Sequence, residues 1–314
     1  MKNKPSPLTP LPKWERGIVI KVPATSANLG PGFDSLGLAL DLWNETVITP
    51  AKEFAVTVTG EGAERLASGK NNLIIRAAQG LAERAGRSLP PFHADCINRI
   101  PLSSGLGSSA AATLTGLLAA NALMGNPLLK EEILSLASEM EEHPDNVAPA
   151  MLGGLVVSIV DDGKVITRPI PIANDIHITI ALPDFHLPTK QARAALPKKV
   201  LMKDAVHNIS RAVLVVEALR IGELDLLGKA MIDTLHQPYR LPLIPGAQSA
   251  MDAAKQAGAA AVALSGAGPS LIAFSSKAEA GVGEAMKRAF EEAGLKARIF
   301  YLRVSSRGAE IQIE

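Results

Sequence analysis

Pro101-Leu102-Ser103-Ser104-Gly105-Leu106-Gly107-Ser108-Ser109-Ala110-Ala111 runs without a break into the apolar stretch from Ala112 to Met124. Glycines followed by small hydroxyl residues at a helix start form an anion site. The first-turn N–H groups there lack helical partners, and the helix dipole adds partial positive charge. Gly105 and Gly107 let backbone approach a phosphate chain where a Cβ would obstruct it, and Ser108 and Ser109 offer hydroxyls to phosphate oxygens or to magnesium. No lysine follows the glycines, so the G-x-x-x-x-G-K-[ST] P-loop is absent. Gly105 to Ala110 also satisfies the dinucleotide pattern G-x-G-x-x-[GA]. Its context is wrong: Ile100 to Ser104 is not a β-branched strand, and a second helical segment follows where a strand is needed. A glycine-serine cap with no ligand is the remaining alternative.

The 314 residues allow two domains and a large core. Lys plus Arg number 32 against 31 Asp plus Glu, with no long basic tract, which argues against nucleic acid and anionic membrane and for a small-molecule partner. The lone Cys96 rules out an intramolecular disulfide framework, suits the reducing cytoplasm, and reads as a buried thiol without chemistry. Residues 1–16, with four prolines and no apolar core, read as a disordered tail and as neither secretory signal nor membrane anchor. Leu106 to Met124 approaches membrane-spanning length but carries Ser108, Ser109, Thr113, Thr115 and Asn121, so a buried helix is expected.

Periodicity predicts strands over Gly17–Val22, Asn44–Thr49, Phe54–Thr59, Phe92–Ile97, Leu155–Val160, Ile176–Leu182, Ala261–Leu264, Leu271–Phe274 and Ala297–Leu302. Besides the helix after the glycine loop, helices are expected over Asn72–Ala85, Lys130–Glu142, Asp145–Met151, Asp204–Leu219, Glu223–Thr234, Gly246–Ala257 and Lys277–Ala293. Strands interleaved with helices indicate an α+β protein, with the first domain closing near the strand Leu155–Val160.

Four further segments carry candidate chemistry. Pro23 to Gly37 sets polar residues among glycines and prolines after a strand: Asn28 can accept and donate, and Asp34 can pair with a ligand ammonium, with Asx-turn or capping roles as the alternatives. Glu141-Glu142-His143-Pro144-Asp145-Asn146 crowds polar groups between two helices. One histidine without a second ligand is a poor zinc site and reads as a hydrogen-bonding group; a carboxylate here can complete a magnesium site with Ser108, or merely end a solvated helix. Thr189 to Arg193 and His236 to Arg240 place two arginines on loops, as ordinary surface residues or as a clamp for a carboxylate. Leu264 to Ser270 is a turn permitting close backbone approach, or a tight hairpin.

Pro101–Ala111, Pro23–Gly37 and Ser265–Ser270 resemble, in order and spacing, the three signature motifs of the GHMP kinases, and the likeness covers about residues 17 to 303. With His143-Pro144-Asp145-Asn146, the chain resembles the branch that phosphorylates L-homoserine. The resemblance implies an α+β, two-domain GHMP kinase fold: an ATP-binding N-terminal domain of the ribosomal S5 domain 2-like type over 17–165, and a ferredoxin-like C-terminal domain over 166–314. It implies ATP along Pro101, Leu102, Ser103, Ser104, Gly105, Leu106, Gly107, Ser108, Ser109, Ala110 and Ala111, with Mg2+ on Ser108 and a glutamate. Many members of the branch have a longer glycine-containing insert before His-x-Asp-Asn; here Glu141 and Glu142 directly precede His143, and Glu141 is the favoured ligand. Asn146 and His143 are implied as catalytic, on the hydroxyl side of the acceptor. Asn28 and Asp34 fall at its amino end, and Thr189, Arg193 and Arg240 at its carboxylate. A cytoplasmic enzyme of threonine biosynthesis without a dedicated general base, able to form a homodimer, is the implied whole. The alternatives are a GHMP kinase for mevalonate, a sugar or an isoprenoid precursor, and a non-catalytic regulator of the same fold.

Overall fold

The computed structural model describes residues 17–66, 68–69, 71–277 and 280–313; the expected disordered tail, 1–16, lies outside them. The first half of the chain runs β1 (Ile18–Ala27), β2 (Leu36–Pro50), β3 (Ala55–Gly60), α1 (Leu73–Ala85), β4 (Phe92–Asn98), α2 (Ser108–Leu123), α3 (Lys130–Glu141), α4 (Val147–Leu152), β5 (Leu155–Asp161) and β6 (Lys164–Ile170). It continues through β7 (His177–Pro183), α5 (Thr189–Ala194), α6 (Met202–Ile221), α7 (Leu224–Ala230), α8 (Gln237–Arg240), α9 (Ala247–Gln256), β8 (Ala261–Leu264), β9 (Leu271–Ser275), α10 (Ala280–Glu292), β10 (Ala297–Leu302) and β11 (Glu310–Ile313).

Two sheets result. The first has the order β11-β1-β2-β4-β3, with the β5-β6 hairpin attached to β2. The second has the order β10-β7-β9-β8 and is antiparallel throughout. Numbered within their own unit, those strands run fourth-first-third-second with helices after the first and third, which is the ferredoxin-like arrangement. The position expected for the domain division, residue 165, falls inside β6, and β11 returns from the chain end to pair with β1.

Local chemistry accounts for most ends. Asn72 caps α1 by accepting from Ile74 N at 2.9 Å, and Gly86 closes it in the left-handed conformation that a glycine takes without strain. Helix α2 has no distinct polar face because, beyond its first turn, nearly all of it is buried: it packs against α1, α3 and β1 in the main core. No helix among the described residues is long and apolar enough to cross a membrane.

Several elements differ from the sequence expectation. Strand β1 does not stop at Val22. The small residues Ala24 to Ala27 pair with Leu40 to Gly37 past a register shift at Pro23, so only 28–35 remain as a loop. β6 was unexpected, although Asp162 and Gly163 both take positive φ, as a two-residue hairpin turn requires. The helix expected over Glu223–Thr234 ends at Ala230, because the Asp233 carboxylate caps the next helix by accepting from His236 N at 2.9 Å and Gln237 N at 2.6 Å. Arg193 and Arg240 are not on loops: they lie on α5 and α8.

Gly116 sets the closeness of α1 to α2, since a Cβ there would run into Ile74 O and lie 2.9 Å from Ala77 Cβ. Gly116→Val forces the helices apart and should cost roughly 1–3 kcal/mol, the usual range for overpacking. Calorimetry should show a melting temperature several degrees lower, and an unchanged one would contradict this packing.

Candidate active site

The glycine loop and the Ser265–Ser270 turn lock the two sheets together. Ser265 Oγ donates to Gly105 O at 2.7 Å, Ser270 N donates to Ser104 O at 3.2 Å, and Gly266 N donates to Ala27 O at 3.1 Å. Gly105 is required here: at φ +78° a Cβ would meet Ser265 O and lie 3.0 Å from Gly268 O. Thr25 N reaches Leu106 O at 3.1 Å, holding the loop to the end of β1. With Gly107 as its cap and no side chain bonded there, α2 leaves its first N–H groups toward a cavity of ≈ 520 Å³.

Every residue expected to contact the acceptor borders that cavity: Asn28, Asp34, His143, Asn146, Thr189, Arg193 and Arg240. So do Ser103, Ser104, Gly105, Gly107, Ser108, Ser109 and Ala110 of the glycine loop and Glu141. Pro101, Leu102, Leu106 and Ala111 do not border it; Leu106 and Ala111 are instead in the core under the loop.

At one end of the cavity, Glu141 Oε1 accepts from Ser109 Oγ at 2.9 Å and from Thr113 Oγ1 at 2.6 Å. Two hydroxyls from α2 therefore fix the carboxylate beside the helix N-terminus. Among the described residues no group of three or more His, Cys, Asp or Glu is placed to hold a metal ion. A single carboxylate and the Ser108 hydroxyl still fit magnesium, which takes few protein oxygens and fills its shell with phosphate and water.

In the middle, His143 Nδ1 donates to Asp145 Oδ1 at 2.7 Å, and Asn146 Nδ2 donates to the same oxygen at 3.4 Å. Thr25 Oγ1 donates to Asn146 Oδ1 at 2.8 Å, which fixes the orientation of the amide. Burial pulls the pKa of His143 down, but the hydrogen bond and charge of Asp145 outweigh it, and the net shift is upward from 6.5.

The end of the cavity where Asp34, Arg193 and Arg240 lie is built around Phe33. Its ring stacks on His236 at 5.2 Å, with the guanidinium groups of Arg193 and Arg240 at 5.7 and 5.2 Å from its centroid. Arg240 is 1% exposed, so the surface alternative for it fails. It forms no ion pair among the described residues and reaches only Ala192 O, Gly266 O and His236 Nδ1, each at 3.4 Å. Burial, then the charge of Arg193, pushes its pKa down to about 10. His236 Nε2 donates to Gly30 O at 2.7 Å, so Nδ1 presents a lone pair to Arg240; burial holds this histidine below its usual range and keeps it neutral. Asp34 and Arg193, expected at opposite ends of an acceptor, instead grip each other through two bonds of 2.9 and 3.1 Å. Asn28 donates to Gly266 O at 2.8 Å and accepts from Asp34 N at 3.0 Å, so its amide ties the first loop to the glycine turn.

Sequence reading missed Thr25, Phe33, His236 and Thr113 as site-building residues, and did not foresee that Ser109 bonds Glu141. His236 stands four residues before Arg240, a helical spacing that could have marked the pair. A second cavity of ≈ 330 Å³ went unforeseen; it adjoins the loop at Ser103, Ser108 and Ser109 and is lined by apolar Val58, Leu66, Leu73 and Leu102 beside Asn71 and Asn98. Cys96 also borders it, but burial pushes its thiol up to about 11, away from reactivity.

Fold and site together define a two-domain small-molecule kinase. The family model described as GHMP kinases N terminal domain matches residues 72–154, and that described as GHMP kinases C terminal matches 215–294. A homoserine kinase from Moorella thermoacetica is 45% identical over 93% of this chain and 99% of its own length, and one from Deinococcus radiodurans is 44% identical over 82% and 84%. The crystal structure of homoserine kinase from Cytophaga hutchinsonii superposes with a TM-score of 0.84 at 30% identity, covering 99% of this chain and 100% of that one. A mevalonate kinase, at 18% identity and a TM-score of 0.68 over 91% and 99% of the two chains, shares the fold. The chain belongs to the GHMP kinase family. It is an ATP-dependent phosphotransferase with an alcohol as acceptor.

Because the folded pKa of His143 lies above 6.5, the His143–Asp145 pair stabilises the fold fully below that pH, and its contribution fades as pH rises through the folded pKa. In Asp145→Asn the two largest upward causes disappear, and burial together with the charge of Arg193 then outweighs the remaining upward pull of Asp34. NMR titration should find His143 above 6.5 in the native protein and below it in the variant. An unmoved titration would show that Asp145 does not set the imidazole.

Proposed function

We propose that this kinase transfers the γ-phosphoryl group of ATP to the side-chain hydroxyl of L-homoserine, giving O-phospho-L-homoserine for threonine biosynthesis in the cytoplasm. The observation that carries the substrate is the charge pattern at the acceptor end: one carboxylate, Asp34, faces two guanidinium groups, Arg193 and Arg240, in one cavity. A zwitterionic amino acid needs that set, and mevalonate or a sugar has no ammonium for Asp34. The homoserine kinases matching nearly the whole chain support the same reading.

Phosphoryl transfer has a loose transition state, so alignment and charge neutralisation dominate. The N–H groups at the start of α2 and the glycine loop hold the phosphates. The second cavity, apolar with amide side chains at its edge, takes the nucleotide base. Ser108 and Glu141 would hold magnesium, which would neutralise charge on the phosphate oxygens. Arg193 and Arg240 orient the acceptor through its carboxylate, with Thr189 beside them, and Asn28 and Asp34 receive its ammonium. Asn146, fixed by Thr25, and His143, fixed by Asp145, position the hydroxyl. Its oxygen bonds to the γ-phosphorus as the bond to the bridging β-phosphate oxygen breaks, and its proton leaves without a dedicated base. We assign the division between the domains to the connection between β6 and β7, and a second copy of the chain as a protein partner.

Assayed side by side with ATP, homoserine should be phosphorylated and mevalonate and galactose should not; turnover of either alternative without homoserine sinks the substrate assignment. Asp34→Asn removes a charged hydrogen-bond partner worth roughly 1.5–3 kcal/mol, so KM for homoserine should rise about 10–100-fold with KM for ATP little changed. Ser108→Ala should shift the magnesium dependence of the rate, and an unshifted dependence removes Ser108 as a ligand.

A further inference from the structure

Arg240 is almost fully buried and carries N–H donors on Nε, Nη1 and Nη2, so what its neighbours take decides what is left for a ligand. Its Nε donates to Ala192 O, and Nη1 donates to Gly266 O and to His236 Nδ1, each at 3.4 Å. Nη2 has no partner among the described residues, and the side chain borders the main cavity. The free N–H groups are thus on one nitrogen. His236 is fully buried and does not line that cavity, so it acts on an acceptor only through Arg240.

On its other side, His236 Nε2 donates to Gly30 O at 2.7 Å, in the loop that carries Asn28 and Asp34. A guanidinium can only donate and a carbonyl can only accept, so Nδ1 must hold a lone pair and Nε2 a proton. Only the neutral Nε2–H tautomer meets both demands. Asp233 Oδ2, 3.6 Å from Nε2, favours a charged imidazolium, but it is taken up by the backbone N–H groups of His236 and Gln237 at 2.9 and 2.6 Å. The Arg240 guanidinium at Nδ1 opposes a second proton. The Phe33 ring, stacked on the imidazole at 5.2 Å, holds its plane.

We propose that His236 is a positioning residue for the acceptor carboxylate. As the neutral Nε2–H tautomer it turns Nη1 of Arg240 inward, keeps Nη2 for the ligand, and fixes that guanidinium relative to the loop of Asn28 and Asp34. Without the lone pair at Nδ1, a buried Arg240 N–H is left unpaired or the guanidinium turns to find another acceptor, and either weakens its hold on a carboxylate. This rests on the homoserine reading above and deepens it.

In a proton–nitrogen correlation spectrum of the native, full-length protein, His236 should show a protonated Nε2 and an unprotonated Nδ1. A doubly protonated ring or the Nδ1–H tautomer overturns the proposal. His236→Phe keeps an aromatic ring against Phe33 and loses both hydrogen bonds, so KM for homoserine should rise about tenfold, with kcat and KM for ATP changed less than about twofold. His236→Gln, whose amide can donate to Gly30 and accept from Arg240, should recover most of that loss. L-Homoserinamide keeps the ammonium and the hydroxyl but has no carboxylate. Read as acceptor or as inhibitor, it should be held equally by the native protein and both variants. An unchanged KM in His236→Phe, equal losses for homoserine and its amide, or a glutamine variant no better than phenylalanine overturns the positioning role. If circular dichroism shows that His236→Phe does not fold, His236→Gln decides: native discrimination between homoserine and its amide supports the proposal, and lost discrimination overturns it. A native enzyme inactive on homoserine overturns the acceptor reading itself, and the nitrogen spectrum still reports the tautomer.

Discussion

The contact between the glycine loop and the Ser265–Ser270 turn is the constraint on which the rest of the site depends. Two backbone segments 160 positions apart meet through hydrogen bonds from Ser265 to Gly105 and from Ser270 to Ser104, with Gly105 giving the space for the approach and Gly266 tying the turn to Ala27 of β1. Such closeness leaves little room for side chains, and the residues that meet there, Ser104, Gly105, Ser265, Gly268 and Ser270, are all small. The contact fixes how α2 points its N-terminus, and that helix end and the Asp34–Arg193–Arg240 cluster border one cavity because it does.

Around that fixed point the charges are arranged to be stable without ligand and usable with it. Arg240 is buried without an ion-pair partner among the described residues, a costly state, and it is sustained by the nearby charges of Asp34, Asp145 and Asp233 and by the neutral His236 beside it. Arg193 is neutralised by Asp34. Phe33 supports both guanidinium groups and the imidazole on one ring, which keeps the two cations near each other despite their repulsion.

What could be read from the residues alone followed from local rules. The α2 N-terminus was legible because glycine, serine and a long apolar run carry their meaning within a dozen positions. Helix ends such as Asn72 and Gly86 were legible for the same reason. The continuation of β1 through Ala24–Ala27 was not, since small residues become a strand only when β2 lies beside them. The end of α7 was equally hidden, because Asp233 competes for the following N–H groups through a bond that skips along the chain.

The sequence by itself determined the glycine-serine loop at a helix start, the α+β character, and the identity of the charged residues that gather at one end of the cavity, because side-chain chemistry and short-range periodicity are properties of the chain. Only the tertiary structure decided which of them meet. That Asp34 grips Arg193, that Thr25 orients Asn146, that Ser109 and Thr113 hold Glu141, and that Arg240 is buried rather than exposed are outcomes of packing between segments up to 159 positions apart. No local preference encodes these pairings, since each depends on the sheets closing around a common cavity.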